Sequence, residues 1–310
     1  MNSYLPEGSL LTTEENYMYI KNRDGLERAL NDQAILEAPA ILCDHNLNLH
    51  VDLGDIKGII PKSEVIYSLT GEPHKDIAIL TRVGKTVAFK VRGFEKNAQG
   101  ETYAILSRRA AQLECLDAYI RSLQPGDIIP AKITHLENFG AFVDIGCGII
   151  SLLSIDSISV SRISHPKDRL HVGDYIYTVV KTIDEYGKIY VSERELLGSW
   201  EENAALFNEG ETVRGVIRSI ESYGIFVELT PNLAGLAEYR DDVYIGQTVA
   251  IYIKSIIPDK MKVKLVIIDT ESADSYRPPL EYFIDPEKNK HIDSWTYSPK
   301  NSKKLITSSF

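Results

Sequence analysis

Cysteine is scarce in this chain. The 310 residues include only three, Cys43, Cys115 and Cys147, an odd number at wide spacing. A disulfide framework or a Cys/His metal site needs such residues in paired or clustered sets, so the pattern suits a reducing compartment and argues against both. The seven histidines are scattered as well. The sequence therefore predicts no metal and no other cofactor.

Long hydrophobic runs are missing too. The apolar runs, such as residues 149–155, are interrupted by serine and are far shorter than the roughly 20 residues that a membrane span needs. The N-terminus has no basic start followed by a continuous apolar segment, which a secretory signal would show. We therefore expect no membrane contact and a cytoplasmic location.

Positive charge is in deficit. Lysine and arginine number 34 against 44 aspartates and glutamates, which gives a formal net charge of −10. A protein that wraps nucleic acid by neutralising its phosphates should be basic, so this mode of binding is not expected here. Any binding of nucleic acid must depend on local basic positions and on stacking.

Catalytic motifs are lacking. The chain has no Gly-x-Ser-x-Gly, no His-Glu-x-x-His and no glycine-rich phosphate loop that ends in Gly-Lys-Ser/Thr. Two close pairs of carboxylates, Glu193 with Glu195 and Asp241 with Asp242, are interpreted as solvated charge on a helix start and a loop. The sequence thus predicts a protein that is not an enzyme.

What the chain has is alternation with period two. Apolar residues alternate along residues 126–192 in several short segments separated by turns, which is typical of half-buried strands. The segment PGDIIPAKITHLENFGAFVDI is paralleled further on by EGETVRGVIRSIESYGIFVEL, and both place an aromatic residue, Phe139 or Tyr223, at the same step from a glycine. A Val-Gly or Ile-Gly pair precedes a β-branched strand in three segments, at residues 83–84, 172–173 and 245–246. The chain is therefore predicted to contain three related barrels.

The predicted fold is dominated by β structure, with three tandem five-stranded β-barrels joined by short helices. Helix starts are predicted from capping-box spacing at Thr12/Glu15, Asp24/Glu27 and Ser199/Glu202. The predicted segments are an N-terminal helical segment at 1–34, a divergent barrel at 35–108, a linker helix at 109–124, a barrel at 125–197, a linker helix at 198–208, a barrel at 209–269 and a tail at 270–310.

The tail combines prolines with aromatic residues. It is too proline-rich for a helix and too aromatic for a typical disordered segment, so we expect an irregular tail that docks partly on the body. The residues concerned are Pro278, Pro279, Pro286, Pro299, Tyr282, Phe283, Trp295, Tyr297 and Phe310.

Two aromatic positions in each of the last two barrels are candidate surface residues. Phe142 and Phe226 alternate with apolar neighbours and are predicted to point away from the barrel core. Phe139 and Tyr223 share the parity of the core-facing residues. They reach the surface only if the glycine that follows each of them breaks the alternation, and the core interpretation stays open.

These motifs carry a resemblance to a known family. The segments GDIIPAKITHLENFGAFVDIG, ISHPKDRLHVGD and VVKTIDEYGKIYVSERE resemble the S1 RNA-binding domain, a five-stranded member of the OB-fold group. The tandem arrangement looks like the bacterial ribosomal protein S1 family and its shorter members. Residues 210–268 are similar in YGIFVEL and IYIKSIIPDKMKVKL, and residues 38–108 are similar to the divergent leading domains of that family.

The resemblance implies a set of RNA-contacting residues on the outer face of two barrels. In the family, the aromatics of the second strand stack on bases, an acidic and a basic residue lie near the last strand, and a nearby loop adds positive charge. In this chain the corresponding positions are Phe139, Phe142, Asp184, Lys188, His165, Lys167 and Arg169 in one barrel, and Tyr223, Phe226, Asp259 and Lys262 in the other.

Some positions depart from the family pattern or have a structural alternative. A third family position, often histidine, is Ser154 or Glu238 here, and the first barrel has Leu47, His50 and Pro61 at the three positions. The first barrel is therefore expected to dock on a partner. For Asp184 and Asp259 the alternative role is turn capping. For the basic loop the alternative is that its charges are only solvated and bind nothing.

The resemblance predicts a protein that binds single-stranded RNA without catalysis, in translation or mRNA handling. The expected partners are mRNA-like single strands and the ribosome or another RNA-processing protein. Two alternatives are a protein-interaction scaffold of the translation or transcription machinery, and a nuclease or nuclease accessory subunit.

Overall fold

Three closed five-stranded barrels make up most of the protein. The computed structural model describes residues 4–67, 75–97, 99–270 and 280–310. Each barrel has the same connectivity, in which strands one, two, three, five and four follow one another around the barrel. The third and fifth strands pair in parallel, as Ile59 with Ile105 in the first barrel and Leu236 with Lys264 in the third. The predicted fold class is confirmed.

The first barrel is closed by strands whose buried residues alternate in sequence. Leu49, Val51 and Leu53 point into the core, whereas His50 and Asp52 do not. Of the two helices at the N-terminus, the second packs against this core through Leu26 and Ala29, and the first through the partly buried Tyr19 and Ile20. The strands are β1 Leu36–Cys43, β2 Leu49–Leu53, β3 Ile56–Ile60, β4 Thr86–Lys96 and β5 Thr102–Ser107.

The second and third barrels repeat this plan. The strands of the second are β6 Ile128–Glu137, β7 Gly140–Asp144, β8 Ile150–Ser154, β9 Tyr175–Ile183 and β10 Ile189–Ser192. The strands of the third are β11 Thr212–Glu221, β12 Gly224–Thr230, β13 Leu233–Ala237, β14 Thr248–Ile257 and β15 Lys262–Thr270.

Helices are short, and they precede the first barrel, link one barrel to the next, or connect the third and fourth strands within a barrel. None in the described residues is both long enough and apolar enough to cross a membrane. The helices are α1 Glu14–Ile20, α2 Arg23–Asp32, α3 Asp76–Leu80, α4 Arg108–Ala118, α5 Ile155–Ile158 and α6 Trp200–Ala204, with 3₁₀ turns at Lys62–Glu64, Ile120–Ser122, Pro166–Asp168 and Pro258–Lys260.

One of the three predicted helix starts is confirmed. The backbone N–H of Ser199 donates to Glu202 at 2.7 Å, and the N–H of Glu202 donates to the Ser199 hydroxyl at 3.2 Å. The other two starts were predicted at the wrong residues. Thr13 Oγ1 caps α1 and Asn22 Oδ1 caps α2, because these side chains precede the first helical turn, whereas Asp24 lies inside α2.

The described chain forms two compact units. The first comprises Met1–Leu123 and Asp144–Ile150, and the second comprises Gln124–Val143 and Ser151–Phe310. The first unit contains a buried ion pair. Arg108 is fully buried and donates two hydrogen bonds, of 2.6 and 3.0 Å, to the carboxylate of Glu7.

In the second unit the tail packs on the barrels. Trp295 and Tyr297 lie in the same core as Trp200 and the third barrel, and the Tyr297 hydroxyl donates to the carbonyl of Asn232 at 2.5 Å. The tail is more regular than predicted, because strands β16 Ser294–Thr296 and β17 Thr307–Ser309 form an antiparallel pair. Residues 271–279 of the predicted tail, with Pro278 and Pro279, lie outside the described residues.

Candidate nucleic-acid interface

The second barrel presents two phenylalanine rings at one end of β7. Phe139 lies in the turn before β7 and is 54% exposed, so the parity of the strand does not bury it. Phe142 is half-buried on the outer face, between the fully buried Ala141 and Val143. The ring centroids are 6.0 Å apart with an interplanar angle of 89°. The two rings therefore form an edge-to-face pair that is open on one side.

The glycine after each exposed ring is needed for close strand approach. A Cβ atom at Gly140 would lie 2.4 Å from the carbonyl oxygen of Leu153, and one at Gly224 would lie 2.5 Å from that of Ala237. Both contacts involve backbone, so a larger residue would push two neighbouring strands apart. These glycines start β7 and β12 immediately after the exposed rings.

The third barrel repeats the pair with a tyrosine. Tyr223 lies in the turn before β12 and is 67% exposed, and Phe226 is half-buried on the outer face. The centroids are 6.2 Å apart at 88°, nearly the values of the second barrel. The core alternative for Phe139 and Tyr223 is therefore excluded, and both positions belong to the surface.

A third ring joins the pair in the second barrel. The imidazole of His135 stacks on Phe142 with centroids 6.3 Å apart and planes at 21°. Its side chain is 62% exposed, and its Nε2 atom lies 2.8 Å from a carboxylate oxygen of Glu137. The corresponding residue of the third barrel is Ser219, which pairs across the strands with Phe226. His135 thus distinguishes the two surfaces.

His135 was not among the predicted residues, because unbroken alternation along the strand would turn it inward. By that rule His135 points inward with the buried Ile133. In the third barrel the register shifts between Ile217 and Ser219, which is the mark of a β-bulge. A bulge adds one residue to a strand and reverses which residues face outward beyond it. Hydrophobic periodicity contains no direct signal for this.

A lysine on the last strand joins the row of the third barrel. Phe226 pairs with Leu236, and Leu236 pairs with Lys264, which is exposed. The predicted Lys262 lies two residues before Lys264 on β15 and is also exposed, and Asp259 lies in the preceding 3₁₀ turn. The register therefore places Lys264, which was not among the predicted residues, in the same outer-face row as Phe226, with Leu236 between them.

In the second barrel the predicted acidic and basic residues share a turn. Asp184 Oδ1 accepts hydrogen bonds from the backbone N–H groups of Tyr186 at 3.0 Å and Lys188 at 2.9 Å, which is the turn-capping role. Lys188 is exposed, and its Nζ lies 5.4 Å from the ring centroid of Tyr190. Tyr190 pairs with Leu152 of β8, so the lysine lies next to the outer face.

The predicted basic loop divides into exposed and buried positions. Lys167 is exposed, and its backbone N–H donates to Nδ1 of the half-buried His165 at 3.0 Å. Arg169 is different, because its guanidinium lies 2.7 Å from Glu228 of β12 and is almost completely buried. Glu228 also bonds to Arg218 at 2.9 Å. Arg169 therefore joins the two barrels of the second unit and is not placed to contact a phosphate.

Burial affects the acid–base properties of this joint. Desolvation lowers the pKa of Arg169, while the neighbouring Glu228 carboxylate acts in the opposite direction. The side chain still has a carboxylate partner within hydrogen-bonding distance, which is the condition under which a buried charge is tolerated.

The interpretation of Glu193 and Glu195 as solvated charge is wrong. Both are fully buried, because the tail covers them. The Tyr282 hydroxyl donates to Glu193 at 3.1 Å, and the Ser308 hydroxyl donates to Glu195 at 2.7 Å. Burial raises the pKa of Glu193 to about 8. Among the described residues, no three His, Cys, Asp or Glu side chains are grouped so that they could hold a metal ion.

The first barrel has no ring pair at the matching positions. Leu47 packs against its core, and His50 Nε2 lies 3.3 Å from Asp44 Oδ2. His50 pairs with Ile59 of β3, and Ile59 pairs with Ile105 of β5. The outer row is thus largely aliphatic, and Pro61 only precedes a 3₁₀ turn.

A comparison with protein families agrees with the barrel connectivity and the outward aromatics of the second barrel. Residues 122–194 match the family model of the S1 RNA binding domain. The second barrel therefore matches the S1 RNA binding domain, and the resemblance expected for this barrel is confirmed.

The relatives are ribosomal proteins. The chain is similar to the small ribosomal subunit protein bS1 of Staphylococcus aureus (strain COL), with 28% identity over 77% of this chain and 58% of that protein. The bS1 of Staphylococcus saprophyticus is 29% identical over the same shares. The match therefore spans little more than half the length of these proteins.

A solved structure is also similar in part. It is a multidomain protein with nucleic acid binding domains from Streptococcus pneumoniae, 14% identical, and the match covers 76% of this chain and 73% of that one with a TM-score of 0.25.

Proposed function

We propose that this protein binds single-stranded RNA through the ring pairs of the second and third barrels, without catalysis, in translation or mRNA handling in the cytoplasm. The observation that carries the proposal is the repeated geometry. Two barrels place an exposed ring and a half-buried ring 6.0 and 6.2 Å apart, edge to face, at the same turn.

Stacking explains how an acidic chain can bind RNA. Each base stacked on an aromatic side chain contributes about 1–3 kcal/mol, and stacking does not depend on sequence because every base has a flat face. Phe139 and Phe142 offer two rings in one barrel, and Tyr223 and Phe226 offer two in the other. His135 adds a third ring to the first of these surfaces.

Phosphates are assigned to the exposed cations around the rings. These are Lys188 and Lys167 in the second barrel and Lys262 and Lys264 in the third. The half-buried His165 of the loop is a further proposed RNA contact. Asp184 and Asp259 are proposed acceptors for bases or ribose hydroxyls, Asp184 in addition to its turn-capping bonds. Arg169 is left out because Glu228 already binds it.

The proposed partner beyond RNA is the ribosome. The similar proteins are named as small ribosomal subunit proteins, and the first barrel replaces the ring pair by a mostly aliphatic row. We assign this row to a protein contact. If the whole chain acts instead as a protein scaffold, RNA will not compete with the captured partner in a pull-down.

The test is fluorescence anisotropy with labelled oligouridine. We expect Phe142→Ala and Phe226→Ala each to weaken binding by about 5-fold to 140-fold, the range that corresponds to one lost stack, and the double variant to weaken it further. Tyr17→Ala, which removes an exposed ring of the first unit, serves as the control. If the double variant binds like the unmodified protein, the stacking proposal is wrong.

A further inference from the structure

The tail carries a basic loop between its two short strands. We call residues 299–305 the tail loop. Lys300, Lys303 and Lys304 are all exposed, and none has a carboxylate partner among the residues that the structure describes. No aspartate or glutamate occurs from Ser294 to Phe310, in a chain whose formal net charge is −10. The tail loop is therefore a concentrated patch of unpaired positive charge.

The tail loop is held in place by a docked hairpin. Strands β16 and β17 pair on either side of it, and the Ile306 N–H donates to the Ser298 hydroxyl at 2.8 Å. Below the loop, Tyr297 is buried, and its carbonyl accepts a hydrogen bond of 2.9 Å from the Trp200 N–H. Much of the conformational entropy of the loop is thus already lost in the folded protein, which favours binding by a preorganised surface.

Simple solvation does not explain the composition of the tail loop. Like charges placed close together repel one another, and the three lysines lie within seven residues that contain no aspartate or glutamate. Lys62, by contrast, pairs with Asp76 at 3.0 Å. Next to the three lysines, Leu305 is 72% exposed. Cations beside an exposed apolar side chain suit a polyanion that also has apolar surface. Single-stranded nucleic acid has both features.

We propose that the tail loop is a further RNA contact, in addition to the two ring pairs. It binds phosphates of the same RNA molecule that the barrels bind. The tail is anchored through Asn232, at the far end of β12 from Tyr223. Because β12 has 7 residues at about 3.3 Å each, a strand length of about 23 Å separates the anchor from Tyr223, and Phe226 lies between the two. Only an RNA longer than the few nucleotides on the rings reaches both places. The inference rests on the proposed RNA binding.

The experiment replaces Lys300, Lys303 and Lys304 together by glutamine and measures affinity for long oligouridine over a salt series. Each phosphate contact contributes about −0.7 to the slope of log affinity against log salt for single strands, so losing three should make the slope shallower by about 2. A short oligouridine that covers only one ring pair should bind both proteins equally. Replacement of the same three residues by arginine should keep the original slope.

The control is a triple glutamine variant of Lys21, Lys57 and Lys96, exposed residues of the first unit. It removes the same net charge and should leave the slope unchanged. The inference is overturned if the tail-loop variant keeps the original slope, or if the control variant changes it equally. In either case, loss of binding in the Phe142/Phe226 double variant would leave the proposed function standing. Retained RNA binding in the double variant would contradict the proposed function itself.

Discussion

Asn232 should be one of the most important polar residues of the second unit. It is fully buried in the turn between β12 and β13. Its Oδ1 accepts from the Val160 N–H at 2.9 Å, and its Nδ2 donates to the carbonyls of Arg194 and Gly198 at 2.8 Å each. The side chain therefore joins the second barrel, the linker and the third barrel with three hydrogen bonds.

The substitution Asn232→Ala removes all three bonds and leaves their partners without a replacement. The Val160 and Arg194 groups are partly exposed and water can reach them, so each should cost about 1 kcal/mol, whereas the buried Gly198 carbonyl should cost up to about 3 kcal/mol. Allowing for relaxation, we expect the free energy of unfolding of the second unit to fall by about 3–5 kcal/mol.

The assay is urea denaturation followed by tryptophan fluorescence. The chain has only two tryptophans, Trp200 and Trp295, and both lie in the core of the third barrel, so the signal reports on the second unit. Asn208→Ala is the control, because Asn208 is exposed and bonds only locally to Glu211. A loss below about 1 kcal/mol, or one no larger than that of the control, would contradict the assigned role.

Two further predictions concern pH and the third ring. Because burial raises the pKa of Glu193 from 4.5 to about 8, the protonated form is favoured in the folded state, and stability present below the ordinary pKa is lost as pH rises through about 8. Glu193→Gln should flatten this fall in melting temperatures measured across pH, and an unchanged profile would refute it. Ser219→His should strengthen binding of oligouridine by about 5-fold and His135→Ala should weaken it similarly, if a third ring adds about 1 kcal/mol. Anisotropy titrations in which neither variant changes affinity would exclude that role for His135.

The barrels and the outward rings were predictable because the alternation of apolar residues in the sequence shows which side chains of a strand face the core and which face outward. Phe142 lies on the outer face between two buried residues, as alternation requires. The turn position of Phe139 was open, since alternation has no meaning outside the strand. His135 was missed for a related reason, because a bulge changes parity without changing the hydrophobic pattern.

Charged residues were predicted less well because their partners are distant in sequence. Arg169 bonds to Glu228, 59 positions away, and Glu193 is covered by Tyr282, 89 positions away. A local pattern of charge cannot show which groups the fold will bring together, and burial reverses the expected role of such groups. Arg169 was predicted to contact phosphate, whereas in the structure its ion pair with Glu228 links the second and third barrels.

The link between Arg169 and Glu228 bears on the proposed binding of RNA by a chain with so few basic contacts. Two weak sites connected by a flexible linker gain affinity according to the linker's length, whereas two sites in one compact unit have a fixed separation. The second and third barrels belong to the same unit, and the Arg169–Glu228 pair and the Asn232 hydrogen bonds connect them. In the proposed binding mode, an RNA strand stacked on one ring pair would meet the other without first ordering the protein. Preorganisation of this kind lowers the entropic cost of binding, and it can compensate for the phosphate contacts that an acidic chain lacks.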